Sequence, residues 1–372
     1  MRGLTSGASD SPRHRMKVCY VCKAVDEGNP TVATQVRWIR ALAAHPAVEH
    51  IHVLTRQHGR ALLPYNVTIR QFGASNWPRT VLGFYREATR LPRRAADVFF
   101  VAQGGPYPAL LLPIKLITRR PIYQWKAHPH ISPRMRFYAR YCDDLIFTPT
   151  PGSFPMDLDS VRVVGHGIDT ELFAPGLDRS RRDLAAVGRV AAVKRLDLAI
   201  DALAVCRDRW ALELTLDIFG PCASKDAAYR RQLGELIDAR GLQDQVVFRG
   251  QVDHADLPEV LGQYRATINL SQTAFDKAAG ESMAVGVPVI TTNGCTAEML
   301  PEDLRILLTV DLDHADEADG VAEAMREVML WDDERQATIG RRLRETIVEG
   351  HSLDSLFDKI VTAIEADRAP SR

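Results

Sequence analysis

Residues 266–290, ATINLSQTAFDKAAGESMAVGVPVI, set the fold class of this chain. An apolar strand at 266–270 runs into a small, polar loop at 271–280. A short helix of small residues is expected to open at Glu281, Gly286 to end it, and 288–292 to start another strand. Strand, loop, helix and strand is the repeating unit of an open parallel α/β sheet, whose ligands bind at the carboxyl ends of the strands. A Glu in a first helical turn lies beside unpaired N–H groups and accepts hydroxyl hydrogen bonds, while the amides offer donors to an anion. The segment therefore suits a ligand that is part phosphate and part sugar. A surface Glu capping a buried helix is the simpler alternative. Neither G-x-G-x-x-G nor G-x-x-x-x-G-K-[ST] occurs here, which argues against a dinucleotide fingerprint or a P-loop.

Outward from this segment, short apolar runs alternate with helical periods in both directions. Strands are expected at 17–22, 50–54, 67–71, 97–102, 121–126, 144–148 and 161–168, with a helix at 31–44 after the first. A polar, turn-rich stretch at 174–183 reads as a linker. The pattern then restarts, with strands at 184–188, 212–219, 245–248, 266–270, 288–292 and 305–310, and helices such as 195–209 and 227–240. Strands alternating with helices imply parallel sheets and right-handed crossovers. The expected architecture is α/β, two doubly wound Rossmann-like domains facing a cleft. The first would span 16–175 and the second 182–350. The last helix, 352–368, carries an apolar face (Leu353, Leu356, Ile360, Ile364) and needs a docking surface, expected on the first domain. Residues 1–15 are polar, lack the apolar core of a secretory signal and are expected to be disordered.

Length and composition agree with two ordinary domains: 372 residues, 46% hydrophobic and 25% charged. No apolar run approaches the length needed to span a bilayer. Six scattered cysteines read as reduced cytosolic thiols, and Cys19 and Cys22, within an apolar strand, lack the second pair a metal site needs. The net charge of zero conceals a segregation. Residues 1–150 hold 22 basic and 8 acidic side chains, leaving 25 basic and 39 acidic for the remainder. A surplus of that size points to an anionic partner. No basic readout helix is recognisable, so nucleic acid is not expected, and a lipid headgroup or phosphorylated acceptor fits better. Residues 77–94 place Trp77, Phe84 and Tyr85 beside Arg79, Arg86 and Arg90, a mixture suited to anionic headgroups or to an ordinary amphipathic helix.

Four stretches carry a resemblance that covers nearly everything from residue 17 onward: HGIDTELFAP at 166–175, VGRVAAVKRLD at 187–197, VVFRGQ at 246–251 and ESMAVGVPVI at 281–290. In this order and spacing the chain resembles the retaining GT-B glycosyltransferases of family 4. Arg189 and Lys194 flank a strand-to-helix turn where a fork and a point charge can hold a diphosphate. The resemblance implies that they bind the donor pyrophosphate and support its departure. It further implies that Glu281 accepts hydrogen bonds from the donor ribose and that Phe248 and Arg249 border the base. Gly188, Gly220, Ala279, Gly280 and Val285 would complete the donor side. In the first domain, His128 follows a strand and would bond the sugar or polarise the leaving phosphate, with His130 as the alternative. No metal, no cofactor beyond the nucleotide-sugar co-substrate and no paired carboxylates are implied.

Two departures stand out. The family has a second Glu eight residues before Glu281, where this chain has Thr273, and Asp276 and Lys277 are the residues placed to contact the transferred sugar instead. Loss of activity is the competing explanation. The usual glycine pair after the first strand is here Gly28 and Asn29, on the acceptor side. The resulting expectation is a cytoplasmic, metal-independent, retaining hexosyltransferase, peripheral on the inner face of the membrane. It would use a UDP or GDP sugar and a glycan or lipid-linked acceptor, in cell-envelope polysaccharide synthesis. An epimerase-like GT-B enzyme and a catalytically silent sugar-nucleotide-binding subunit are the alternatives.

Overall fold

The computed structural model describes residues 15–28, 32–73, 76–91, 95–102, 105–176, 182–311 and 317–369. Asn29, nearly all of 1–15 and the centre of the expected linker lie outside the described residues. The chain divides into two compact units, one of residues 1–125, 133–146 and 357–372, the other of 126–132 and 147–356. The sequence reading kept 126–132 and 147–175 with the first domain; the contacts group both with the second unit.

The first sheet is built from β1 (Met16–Val25), β2 (Val48–His58), β3 (Val67–Gln71), β4 (Val98–Ala102), β5 (Ile122–Trp125), β6 (Leu145–Thr148) and β7 (Val161–Val163). Their order is β3-β2-β1-β4-β5-β6-β7, with β1 parallel to both β2 and β4. β4 is buried at every position, as expected of a strand covered on both faces, and its VFFVA run is continuous rather than alternating. Cys19 and Cys22 lie buried in β1, where burial pushes both thiols up to about 12. In the first unit, the last helix turns Phe357 edge-on to Trp38, with centroids 5.8 Å apart, and Tyr123 donates to Asp367 at 2.8 Å.

The second sheet comprises β8 (Arg182–Val187), β9 (Leu216–Phe219), β10 (Val246–Gly250), β11 (Tyr264–Asn269) and β12 (Val289–Thr291). The order β10-β9-β8-β11-β12 is parallel throughout. Strand order reverses between β8 and β11, the switch point at which a doubly wound sheet leaves a crevice outside the carboxyl ends of its strands. Helices Leu196–Trp210 and Glu317–Met329 bury their apolar faces in one core with the strands, through residues such as Ala199, Leu203, Val321 and Met325.

Three expectations are corrected. Residues 305–310 do not form a strand: Glu302–Leu308 is a helix, and Thr309 alone bridges to Thr291. Pro301 precedes it, Glu302 and Asp303 favour its first turn, and Leu304 and Leu308 are buried while Ile306 is exposed, a helical period hidden in a short apolar run. Residues 212–215 lie outside β9, which begins at Leu216. The key helix is Lys277–Ala284, so Glu281 sits in its second turn rather than opening it. Asp276 is the N-cap, accepting from Ala278 N. The helix starts where a short polar side chain can accept from the backbone N–H, two positions before the Ala278-Ala279-Gly280 run begins.

Candidate functional site

The loops leaving β8, β9 and β11 converge at the switch point of the second sheet. Gly188 follows β8 at φ 142° and Gly220 follows β9 at φ 140°. They pack back to back: a Cβ on Gly220 would stand 1.9 Å from the Gly188 carbonyl oxygen. Gly188 N bonds Phe219 O at 2.9 Å and Val190 N bonds Pro221 O at 3.0 Å, which ties the two loops together. A Cβ on Gly188 would lie 3.0 Å from Lys194 Nζ, so the glycine also leaves the lysine its space.

Lys194 ends a 3-10 turn, Ala192–Lys194, and its Nζ pairs closely with Asp276 Oδ2 from the loop after β11. Asn269 Nδ2 donates to the same carboxylate oxygen at 2.9 Å. Arg189 is exposed beside this pair in sequence and has no carboxylate partner among the described residues. Asn293, buried at the start of the short helix after β12, fastens the β11 loop: its Nδ2 donates to Ser271 O at 2.6 Å and Thr273 O at 2.9 Å. It is the N-cap of that helix, accepting from Thr296 N, so one side chain serves both elements. The arrangement offers an anion one unpaired guanidinium and one ammonium that must first exchange its carboxylate.

Glu281 is 4% exposed. Its Oε1 contacts His254 Nε2 at 2.7 Å and Lys277 Nζ at 2.8 Å. Burial alone would raise this carboxyl, yet Lys277 and His254 outweigh it and hold the pKa at about 2. An ionised carboxylate only accepts, so Nε2 is the protonated ring nitrogen of His254. His166, buried against Phe275 with ring centroids 4.8 Å apart, is held uncharged instead. Burial, with the charges of Lys277 and His351, lowers it to about 3 and leaves it neutral.

The structure thus brings Gly188, Lys194, Gly220, Asp276, Lys277 and Glu281 to one end of the second sheet. Ala279 and Gly280 are buried in the helix itself, and Val285 closes it. A Cβ on Gly280 would meet Phe275 at 2.8 Å and Ile168 at 3.0 Å, so the glycine permits close helix packing. Phe248 lies under Arg230, whose guanidinium is 3.4 Å from the ring centroid. The Arg249 side chain turns to the buried Asp217 at 2.8 Å, which also receives Arg182 and Tyr264. Thr273 is exposed, and its hydroxyl bonds its own loop at Ala274 O. His128 and His130 are both exposed, within a loop of the second unit; His128 Nδ1 lies 3.0 Å from His130 O. In the first unit, Gly28 N bonds Asp26 Oδ1 at 3.0 Å, and Asn29 is outside the described residues. Sequence reasoning missed His254, His166 as a buried neighbour, and Asn293. His254 lies in an unremarkable polar turn, and only its 27-residue separation from Glu281, closed by the fold, reveals it. Among the described residues no cluster of His, Cys, Asp and Glu could hold a metal ion.

Comparison with known proteins places this geometry. Residues 168–342 match the family model Glycosyl transferases group 1, so this part of the chain carries that domain. The chain is 29% identical over 198 residues to the lipopolysaccharide core biosynthesis mannosyltransferase LpsB of Rhizobium meliloti (strain 1021), covering 47% of this chain and 54% of that protein. It is also 29% identical over 177 residues to mannosylfructose-phosphate synthase of Agrobacterium fabrum (strain C58 / ATCC 33970), covering 41% and 38%. It therefore spans about half the length of the curated relatives it matches, or less. Over 95% of its length it is similar in fold to the crystal structure of Anabaena Alr3699/HepE in complex with UDP and glucose, with a TM-score of 0.71 at 16% identity and covering 100% of that chain. The architecture is GT-B, with two Rossmann-like domains.

Proposed function

We propose that this chain is a retaining, metal-independent glycosyltransferase that moves a hexose-type sugar from a nucleoside diphosphate to a glycan or lipid-linked acceptor. The observation that carries this reading is the meeting of Lys194, Asp276 and Glu281 at the switch point between β8 and β11, within the matched domain. Cations at this crevice suit a diphosphate, and a buried, ionised Glu one helical turn beyond Lys277 suits a ribose hydroxyl. As the glycosidic bond to phosphate breaks, charge grows on the leaving oxygen, and Arg189 and Lys194 would stabilise it. The departing phosphate would take the acceptor's proton on the same sugar face, giving retention without a carboxylate nucleophile. His128 would assist by hydrogen bonding to the sugar or the leaving phosphate, and the base would border Phe248 and the Arg249 backbone. The similarity to a lipopolysaccharide core mannosyltransferase supports a role in cell-envelope polysaccharide synthesis. Work at the cytoplasmic side, in peripheral contact with an anionic membrane, belongs to the same reading.

A thermal-shift screen with millimolar UDP, GDP, ADP and their sugars tests the donor. At least one should raise Tm; if none does, the reading fails. Turnover of that donor should then fall about a hundredfold in Lys194→Ala. A second reading, a silent sugar-nucleotide-binding subunit, is favoured by the Thr273 hydroxyl, which is spent within its own loop where the family has a carboxylate. Donor hydrolysis or transfer by the purified chain alone would exclude it.

A further inference from the structure

Both protein contacts of Glu281 fall on a single oxygen. Oε1 is hydrogen-bonded to His254 Nε2 at 2.7 Å and ion-paired with Lys277 Nζ at 2.8 Å, so both cling to the same oxygen. Oε2 has no hydrogen bond among the described residues and is not sealed from solvent. The two donors arrive from different elements. Lys277 is one turn earlier on the same helix. His254 lies in the turn before helix Leu257–Gly262 and is held edge-on to Phe173, with ring centroids 5.0 Å apart. A Lys in the first turn of a helix opposes the helix dipole, so this position is not occupied for the helix's sake. Its side chain is 23% exposed, and its ammonium is turned onto a buried carboxylate.

We infer that His254 and Lys277 are positioning residues that clamp Oε1 of Glu281, so that Oε2 alone recognises the ligand through one hydroxyl of a nucleoside diphosphate ribose. The inference rests on the proposed nucleotide-sugar reading. A carboxylate with both oxygens open can bridge a vicinal diol and take a hydrogen bond from each hydroxyl. With Oε1 occupied by His254 and Lys277, one ribose hydroxyl bonds the carboxylate and its neighbour does not. Recognition of the ribose is therefore asymmetric, and the asymmetry belongs to the clamp rather than to Glu281 itself.

The test is calorimetric titration of the full chain with UDP, GDP or ADP, whichever binds, beside the 2′-deoxy and 3′-deoxy forms of the same nucleotide. In the wild type one deoxy form should bind about tenfold or more weakly, the other within about twofold of the parent. His254→Ala and Lys277→Ala should each weaken the parent nucleotide and shrink the difference between the two deoxy forms. His254→Gln keeps a donor, guards against a fold defect and should restore most of the asymmetry. Equal penalties for both deoxy forms in the wild type, or an asymmetry unchanged in the Ala variants, overturns the clamp alone. Binding of none of the three nucleotides overturns the nucleotide reading and the clamp with it.

Discussion

Lys194 and Asp276 lie 82 residues apart, yet their pairing sets the state of the site before any ligand arrives. A diphosphate that uses Lys194 must displace that carboxylate. Asp276→Asn keeps an N-cap acceptor for Ala278 N but removes the competing charge. Affinity for the nucleoside diphosphate should therefore rise about three- to tenfold in calorimetry. A loss of affinity would instead make Asp276 a direct ligand contact. Glu281 gives a pH signature. Its folded pKa of about 2 lies below the ordinary value of 4.5. It therefore contributes stability that is complete above about pH 5 and is lost as pH falls toward 2. The stability gap between wild type and Glu281→Gln in denaturant titrations should narrow by about 2 kcal/mol between pH 5 and pH 3. A gap independent of pH would mean that the carboxylate is not held ionised by its neighbours.

At the scale of elements, the loops after β8 and β9 approach so closely that neither tolerates a side chain. Gly220→Ala would combine a strained φ of 140° with a Cβ 1.9 Å from a carbonyl oxygen. The cost should be about 3 kcal/mol, lowering Tm by roughly 6–12 °C and weakening nucleotide binding together with it. An unchanged Tm would show that the loops move apart readily. The same elements explain what was legible beforehand. A buried parallel strand such as β4 announces itself as a continuous apolar run, and helix 227–240 follows from its period and the Gly241 that ends it. The run at 305–310 misled because six apolar-rich residues fit either period. Acidic residues and a proline at its start decided for a helix. Helix Lys277–Ala284 starts earlier than the small, polar stretch 271–280 suggests, because Asp276 within that stretch serves as its cap.

Across the whole molecule, the basic surplus of residues 1–150 is partly consumed internally. Arg86 and Arg90 both bind the buried Glu87, each at 3.0 Å, which leaves Arg79 as the one arginine of the expected headgroup face without a carboxylate among the described residues. Exposed Leu116 and Ile117 stand beside Arg119, and exposed Phe137 and Tyr141 beside Arg134, Arg136 and Arg140. Lys115 Nζ, near the end of helix Tyr107–Thr118, bonds Cys142 O at 3.0 Å just past helix Pro133–Tyr141 and so brings the two helix ends together. The proposed membrane contact predicts that the chain sediments with phosphatidylglycerol vesicles at low salt, is released at about 0.5 M salt and ignores purely zwitterionic vesicles. Sedimentation with neither kind would remove that contact. No helix among the described residues is long and apolar enough to cross a membrane. By itself the sequence determined the α/β class and the parallel sheets, because these depend on periodicity and local spacing, while Arg189, Lys194 and Glu281 stood out together only through the resemblance. Only the tertiary structure decided who partners whom: Asp276 with Lys194, and His254 with Lys277 on one oxygen of Glu281. Lys277 and Glu281 are one helical turn apart, but Lys194 and Asp276 are separated by 82 residues and His254 and Glu281 by 27, and only the fold brings those loops together.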